Sequence, residues 1–225
     1  MTDQDIDMTP ISLFPEFDSA DVAAIEAGLA ASQQATGQAQ AIRRTSRHQN
    51  RRAKAEARLS EILPARFEAG ESWHVLSHGD IDSLSYLRHA LNGVSHFDYV
   101  LMSTWCIAKA DLDEIAGWLD TGKIDQFDLY AGEIFPSQYG DEYEQMMRMA
   151  DIYGCRMVIA KNHSKITLAE QKATNYRLCI ESSANVNTNP RIEQSTIHAD
   201  GDLFEFYREF FHGLKSIDRA SRPAR

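Results

Sequence analysis

From Gly70 onward, the hydrophobic positions switch repeatedly between a period of two residues and a period of three to four residues. Runs of branched and aromatic residues predict strands, and longer runs with apolar residues at helical spacing predict helices. The predicted strands cover 73–78, 96–105, 126–135, 155–162, 164–170, 175–183 and 194–200. The predicted helices cover 83–94, 109–124, 143–154 and 202–217. This alternation favours an α/β fold with a mainly parallel mixed sheet flanked by helices on both faces.

The first 68 residues have a different pattern, and we expect them to form an N-terminal helical appendage to a domain over 69–225. An irregular tail and two helices are predicted there, over 1–18, 21–34 and 41–63. Gly37 separates the two helices, and Pro64 ends the second one. The second helix is long and strongly charged.

Charge is distributed unevenly along the chain, whose formal net charge is −10. Residues 1–40 carry a charge of −7, residues 41–60 carry +6, and the rest of the chain carries −9. The basic block contains Arg43, Arg44, Arg47, Arg51 and Arg52. Such a block predicts a nucleic-acid contact, because basic side chains displace counterions from phosphates. A solvated helix whose charges pair with the preceding acidic stretch is the alternative.

Composition excludes several classes of protein. With 225 residues and 43% hydrophobic residues, the chain can bury a sizeable core, which excludes a fully disordered protein. No apolar run approaches the roughly 18–20 residues that cross a bilayer, and the N-terminal segment lacks the pattern of a signal peptide. The three cysteines, Cys106, Cys155 and Cys179, have no metal-binding spacing. We therefore expect a cytoplasmic protein with no membrane contact, metal or cofactor.

Candidate chemistry is concentrated where the later strands begin and end. His163 and Lys165 are two residues apart, so in an extended segment they project together, and Ser183 and Asn185 have the same spacing. An ammonium, a hydroxyl and a carboxamide can bind the oxygens of a phosphoryl group. A neutral imidazole can attack phosphorus or transfer a proton, and Glu193 can orient that imidazole. A polar strand end would also explain His163, and a turn cap would also explain Asn185.

These residues, in this order, resemble the phospholipase D superfamily, whose hallmark is H-x-K, then G-S-x-N, then a glutamate. His163-Ser164-Lys165 matches the first motif, Ser183-Ala184-Asn185 matches the second, and Glu193 is the later acid. The resemblance covers roughly residues 70–215, including the alternating elements around the motifs. It points to the nuclease-like subgroup of bacterial or phage type.

The chain departs from the family pattern in four respects. Glu170 stands where the family has an aspartate, and Ser182 stands where it has the glycine before the serine. The spacing between the motifs is about four residues longer than usual, so we expect an extended turn over 171–176. Only one H-x-K motif is present. The resemblance implies that such a chain completes its active site as a homodimer.

The resemblance implies two-step, metal-independent phosphodiester chemistry. His163 of one subunit would form a phosphohistidine, and His163 of the other would protonate the leaving oxygen and then activate water. Lys165, Asn185 and Ser183 would hold phosphate oxygens, and Glu193 would polarise the histidine. Because the chain carries a basic block and lacks an export signal, we expect a nuclease acting on DNA or RNA. A non-catalytic nucleic-acid-binding or assembly protein on the same fold is the alternative.

Two further residues end predicted strands at the carboxyl edge, where α/β proteins bind ligands. His78 either lines the cleft or belongs to the turn before a helix. Trp105 either stacks on a base or packs in the core. We take both as candidate substrate-binding residues.

Overall fold

The computed structural model describes residue 54 and residues 57–79, 81–186 and 191–218. The predicted tail, the first predicted helix and the five predicted nucleic-acid-binding arginines lie outside the described residues. Residues 57–62 are helical. Leu59, Leu63 and Phe67 are buried in the main hydrophobic core, so this core includes side chains from before residue 69. The division of the chain after residue 68 stays a prediction.

The described chain alternates strands with helices. The strands are β1 Ser72–Ser77, β2 Phe97–Thr104, β3 Ile124–Gly132, β4 Arg156–Ala160, β5 Ile166–Gln171, β6 Tyr176–Ser182 and β7 Glu193–His198. The α-helices that follow β1 are α1 Ser83–Val94, α2 Lys109–Asp120, α3 Phe135–Gln138, α4 Gly140–Tyr153 and α5 Gly201–Gly213. Phe135, predicted in the third strand, instead begins the short α3, because Pro136 in its first turn favours a helix start. The extended turn predicted between β5 and β6 contains a 3-10 helix, Lys172–Thr174.

The strands form one seven-stranded sheet in the order β1-β7-β6-β5-β2-β3-β4. The α/β class and the mixed sheet are confirmed. Five strands, namely β1, β2, β3, β4 and β6, run in one direction, and β5 and β7 run in the other. Parallel pairing itself is limited to β2–β3 and β3–β4. The other four pairings are antiparallel, among them β5–β6, whose short connection allows only antiparallel neighbours.

Helices cover both faces of the sheet, as predicted. Val100 and Met102 of β2 face the larger core, which α1, α2 and α4 complete. The alternate residues Tyr99 and Leu101 face the smaller core, together with Phe204 of α5. Side chains of successive strand residues point to opposite faces, so one buried strand supplies both cores.

The connection from β4 to β5 lies across the carboxyl end of the sheet. β4 is an edge strand and β5 pairs with β2, so residues 161–165 pass over the ends of β3 and β2. Three strand spacings amount to about 14 Å. Six residue steps reach about 20 Å at most, so the connection has little slack. It carries His163 and Lys165.

Candidate active site

The strand directions bring all seven predicted catalytic and substrate-binding residues to the carboxyl edge of the sheet. Five strands end at this edge, and β5 and β7 begin there. His78 follows β1, Trp105 follows β2, His163 and Lys165 precede β5, Ser183 and Asn185 follow β6, and Glu193 begins β7.

The side chains of His163 and Lys165 meet in the connection before β5. The Lys165 ammonium donates to the backbone carbonyl of His163 at 2.7 Å, and its Nζ lies 3.0 Å from Nδ1 of the imidazole. Ser164 points elsewhere, and its hydroxyl donates to Oδ1 of Asn162. His163 is exposed while Lys165 is 7% exposed, so the imidazole is accessible to solvent next to a buried cation.

The environment of Lys165 affects its charge. Burial lowers the pKa of the ammonium, because desolvation penalises the charged form. The nearby side chains of Cys106 and Glu193, in their negatively charged forms, oppose this shift by raising the pKa of Lys165. Glu193 therefore helps to keep Lys165 protonated.

Glu193 binds Ser183 in this structure. Its carboxylate accepts a hydrogen bond from the Ser183 hydroxyl, and the same hydroxyl accepts from the backbone N–H of Gln194 at 3.0 Å. The contact that we expected between Glu193 and His163 is not formed among the described residues. Their side chains are carried by β7 and by the β4–β5 connection, and in this chain the imidazole contacts Lys165 and Trp105 instead.

Asn185 lies beside Thr104 at the end of β2. The Thr104 hydroxyl donates to the backbone carbonyl of Cys106 at 2.8 Å and lies 3.5 Å from Oδ1 of Asn185. The backbone carbonyl of Asn185 accepts from the N–H of Ser83 at 3.3 Å, which ties the turn to the start of α1. The carboxamide is half-buried at the same edge as the imidazole.

Asn162 positions the connection that carries His163, and the sequence pattern gave no signal of this role. Its amide nitrogen donates to the Ser103 hydroxyl and to the backbone carbonyl of Tyr130, each at 2.9 Å. Its Oδ1 accepts from the backbone N–H of Ser164 at 3.0 Å. One side chain thus links β2, β3 and the connection.

Trp105 contacts the imidazole of His163. The ring centroids are 5.4 Å apart and the planes are inclined by 47°. The indole also packs against Gly132, where a Cβ atom would lie 2.6 Å from Cδ1 of Trp105. Trp105 is therefore placed to orient the histidine, a role that sequence reasoning did not assign to it.

His78 lies at the same edge but is not joined to this cluster. It is exposed and follows Ser77, whose partner on β7 is Glu193. It therefore borders the site on the β1 side.

The arrangement can bind and transfer a phosphoryl group. An exposed imidazole stands next to a buried ammonium, and a hydroxyl and a carboxamide lie at the same edge. Among the described residues, no group of three or more His, Cys, Asp or Glu side chains could hold a metal ion. No helix in the described ranges is both long and apolar enough to span a membrane.

A scan against protein-family models finds no match. A search of curated proteins finds no relative either.

Solved structures with partial similarity include three proteins. An archaeal chromatin protein, TrmBL2, described as showing a novel mode of DNA binding, is 10% identical with a TM-score of 0.48, over 86% of this chain and 64% of that one. A polyphosphate kinase from Porphyromonas gingivalis is 15% identical with a TM-score of 0.48, over 68% and 27%. A phosphatidylserine synthase from Haemophilus influenzae is 12% identical with a TM-score of 0.44, over 62% and 37%. This chain spans less than two thirds of the length of each.

Proposed function

We propose that this chain is a metal-independent phosphodiesterase that cleaves nucleic acid and works as a homodimer. The observation that carries the proposal is the pairing of the exposed His163 imidazole with the buried Lys165 ammonium at the carboxyl edge. The order of H-x-K, S-x-N and glutamate, which resembles the phospholipase D superfamily, supports the same chemistry.

Substrate binding prepares the nucleophile. An ammonium can only donate, so in the free chain it places the proton of a neutral imidazole on Nε2. When a phosphate oxygen accepts a hydrogen bond from the Lys165 ammonium in place of Nδ1, Nδ1 is free of Lys165. The ring can then carry its proton on Nδ1 and present the lone pair of Nε2 to phosphorus.

The reaction then proceeds in two displacements. Nε2 of His163 forms a bond to phosphorus while the bond to the leaving oxygen breaks, and a protonated His163 of the second copy gives that oxygen its proton. The second imidazole next takes a proton from water, whose oxygen attacks phosphorus and releases His163. Lys165 and Asn185 stabilise the charge on the phosphate oxygens, and Ser183 assists them.

A non-catalytic nucleic-acid-binding or assembly protein is the second candidate. One observation favours it: in the free chain the Glu193 carboxylate accepts a hydrogen bond from Ser183 instead of contacting the imidazole of His163.

The deciding experiment measures cleavage of labelled single- and double-stranded DNA and RNA in excess EDTA. We expect His163→Ala to lose at least about a thousand-fold in rate. His74→Ala, which removes an exposed histidine of β1, is the matched control. Acid quenching of the wild type should trap a phosphohistidine, and light scattering should give twice the 25.4 kDa chain mass. If wild type and His163→Ala bind nucleic acid but neither cleaves it, the second candidate replaces the first.

A further inference from the structure

We propose that three exposed cations at the carboxyl edge, Lys109, Lys161 and Arg191, bind the phosphates that flank the reacting diester in a single-stranded nucleic acid. We call these three residues the flanking cations. The proposal rests on the proposed function for the position of the reacting phosphate, and it adds the class of substrate and the way it is held.

Each flanking cation lies within a few residues of the candidate site. Lys161 follows β4 and precedes His163 by two residues, and Arg191 precedes Glu193 by two residues. Lys109 begins α2, two residues after Ile107, which forms a β-bridge with Val186 next to Asn185. Two residue steps span about 7 Å at most, so Lys161 and Arg191 stay close to the reactive side chains.

The flanking cations are exposed and available to an anionic ligand. Several other basic residues in the described ranges form ion pairs with glutamates, namely Arg88, Arg148, Arg177 and Arg208. Among the described residues, no ion pair involves Lys109, Lys161 or Arg191. Residues 61–225 carry a net charge of −9, so exposed cations that form no ion pair with a described acidic residue and lie around one site favour an anionic ligand there.

The ligand that fits is a single strand. The flanking cations are three isolated positive charges, and the exposed Glu133, which follows β3 at the same edge, adds negative charge beside them. A second backbone would bring its phosphates towards an acidic domain without further cations to meet them. The half-buried indole of Trp105 adds an aromatic surface, which the unstacked bases of single strands use.

The test measures binding of labelled single-stranded and duplex oligonucleotides by fluorescence anisotropy over a series of salt concentrations. All variants carry His163→Ala, so cleavage does not interfere and the result does not depend on the chemistry. The double variant Lys161→Gln/Arg191→Gln is compared with a control double variant, Lys123→Gln/Lys172→Gln. The two control lysines are exposed, carry the same total charge and lie at the opposite edge of the sheet. The basic residues before residue 54 are present in every variant and cancel from the comparison.

We expect the Lys161/Arg191 pair to weaken single-strand binding equally for all sequences. A plot of log affinity against log salt concentration has a negative slope, and the magnitude of this slope should decrease by about 0.7 for each lost contact. Adding Lys109→Gln should decrease the magnitude again. The Lys123/Lys172 pair should leave the slope unchanged, and Glu133→Gln should strengthen binding. Equal slopes for the two pairs overturn the proposal, and so does tighter binding of duplex than of single strand. Turnover of a small chromogenic diester by wild type and His163→Ala tests the proposed function separately.

Discussion

The ammonium of Lys165 donates to the backbone carbonyl of His163 and lies 3.0 Å from Nδ1 of the same residue. The cation of the candidate site is therefore held by the residue that it assists, in a connection of five residues between two strands. Because the lysine is buried, holding its charge there costs stability, and the lowered pKa of Lys165 is the sign of that cost.

Lys165→Met should separate stability from activity. A methionine of similar volume removes a desolvated charge, so we expect a higher thermal midpoint, together with at least about a hundred-fold loss of cleavage. Thermal denaturation and the cleavage assay in EDTA measure the two effects. A lower midpoint would show that the contacts of the ammonium outweigh its desolvation.

The stability difference between the wild type and Lys165→Met should depend on pH. The folded pKa of Lys165 lies below the ordinary lysine value of 10.5, so between the two values the unfolded chain binds the additional proton. The free energy of unfolding of the wild type, minus that of Lys165→Met, should therefore rise with pH over this interval. Chemical denaturation of both proteins over a series of alkaline pH values measures the difference, and other titrating groups cancel. A difference that falls with pH contradicts the lowered pKa.

Gly132→Ala should disturb the histidine through Trp105. The new methyl group would lie 2.6 Å from the indole and 2.9 Å from the backbone oxygen of Trp105, so the residue must shift away. We expect kcat to fall at least about ten-fold, since the ring against His163 moves. Gly117→Ala is the control, because its methyl group meets open space within α2 and should raise stability by roughly 0.5–1 kcal/mol. Unchanged kcat in Gly132→Ala would remove Trp105 from a positioning role.

Asn162→Asp should loosen the connection that carries His163. The substitution replaces a donor with a charged acceptor facing the Tyr130 carbonyl, and leaves that buried carbonyl without this partner. We expect a loss of about 1–3 kcal/mol in the free energy of unfolding, with reduced kcat. Ser137→Ala, which removes an exposed hydroxyl bonded within its own helical turn, is the control. Urea denaturation and steady-state kinetics measure the effects, and equal behaviour of both variants would contradict the role of Asn162.

Gly93→Ala tests whether the segment before residue 69 belongs to the folded core. A Cβ at Gly93 would lie 1.6 Å from the backbone oxygen of Ala65, so α1 and this segment must separate. We expect a loss of about 1–3 kcal/mol, against a gain for Gly117→Ala in the interior of another helix. Calorimetry of both variants gives the comparison. A neutral Gly93→Ala would mean that this segment is displaced without cost.

Local signals explain how much of the fold could be predicted. The bounds of α1 agree with the prediction because Asp82 caps it, accepting from the N–H of Ser85 at 2.8 Å, and Ser95 ends it in the left-handed region. The sequence also places His163, Lys165, Asn185 and Glu193 where predicted strands begin or end. The structure brings these four residues to one edge of the sheet, the carboxyl edge.

The remaining features depend on contacts between distant parts of the chain. No local pattern places β5 beside β2, because the pairing is set by how the whole sheet packs. The roles of Asn162 and Gly132 follow from that placement, since their partners lie on other strands. The engagement of Glu193 by Ser183 is likewise a matter of side-chain geometry, which residue spacing alone does not determine.

The passage of residues 161–165 over the ends of β3 and β2 has a consequence for folding. The two ends of this connection are the correct distance apart only after β2, β3, β4 and β5 have assembled in order, and its polar anchors come from β2 and β3. Partly folded chains therefore lack the arrangement of His163 and Lys165 even where individual strands have formed. Catalytic competence should be the last property to return on refolding, and the appearance of activity would time the completion of the sheet.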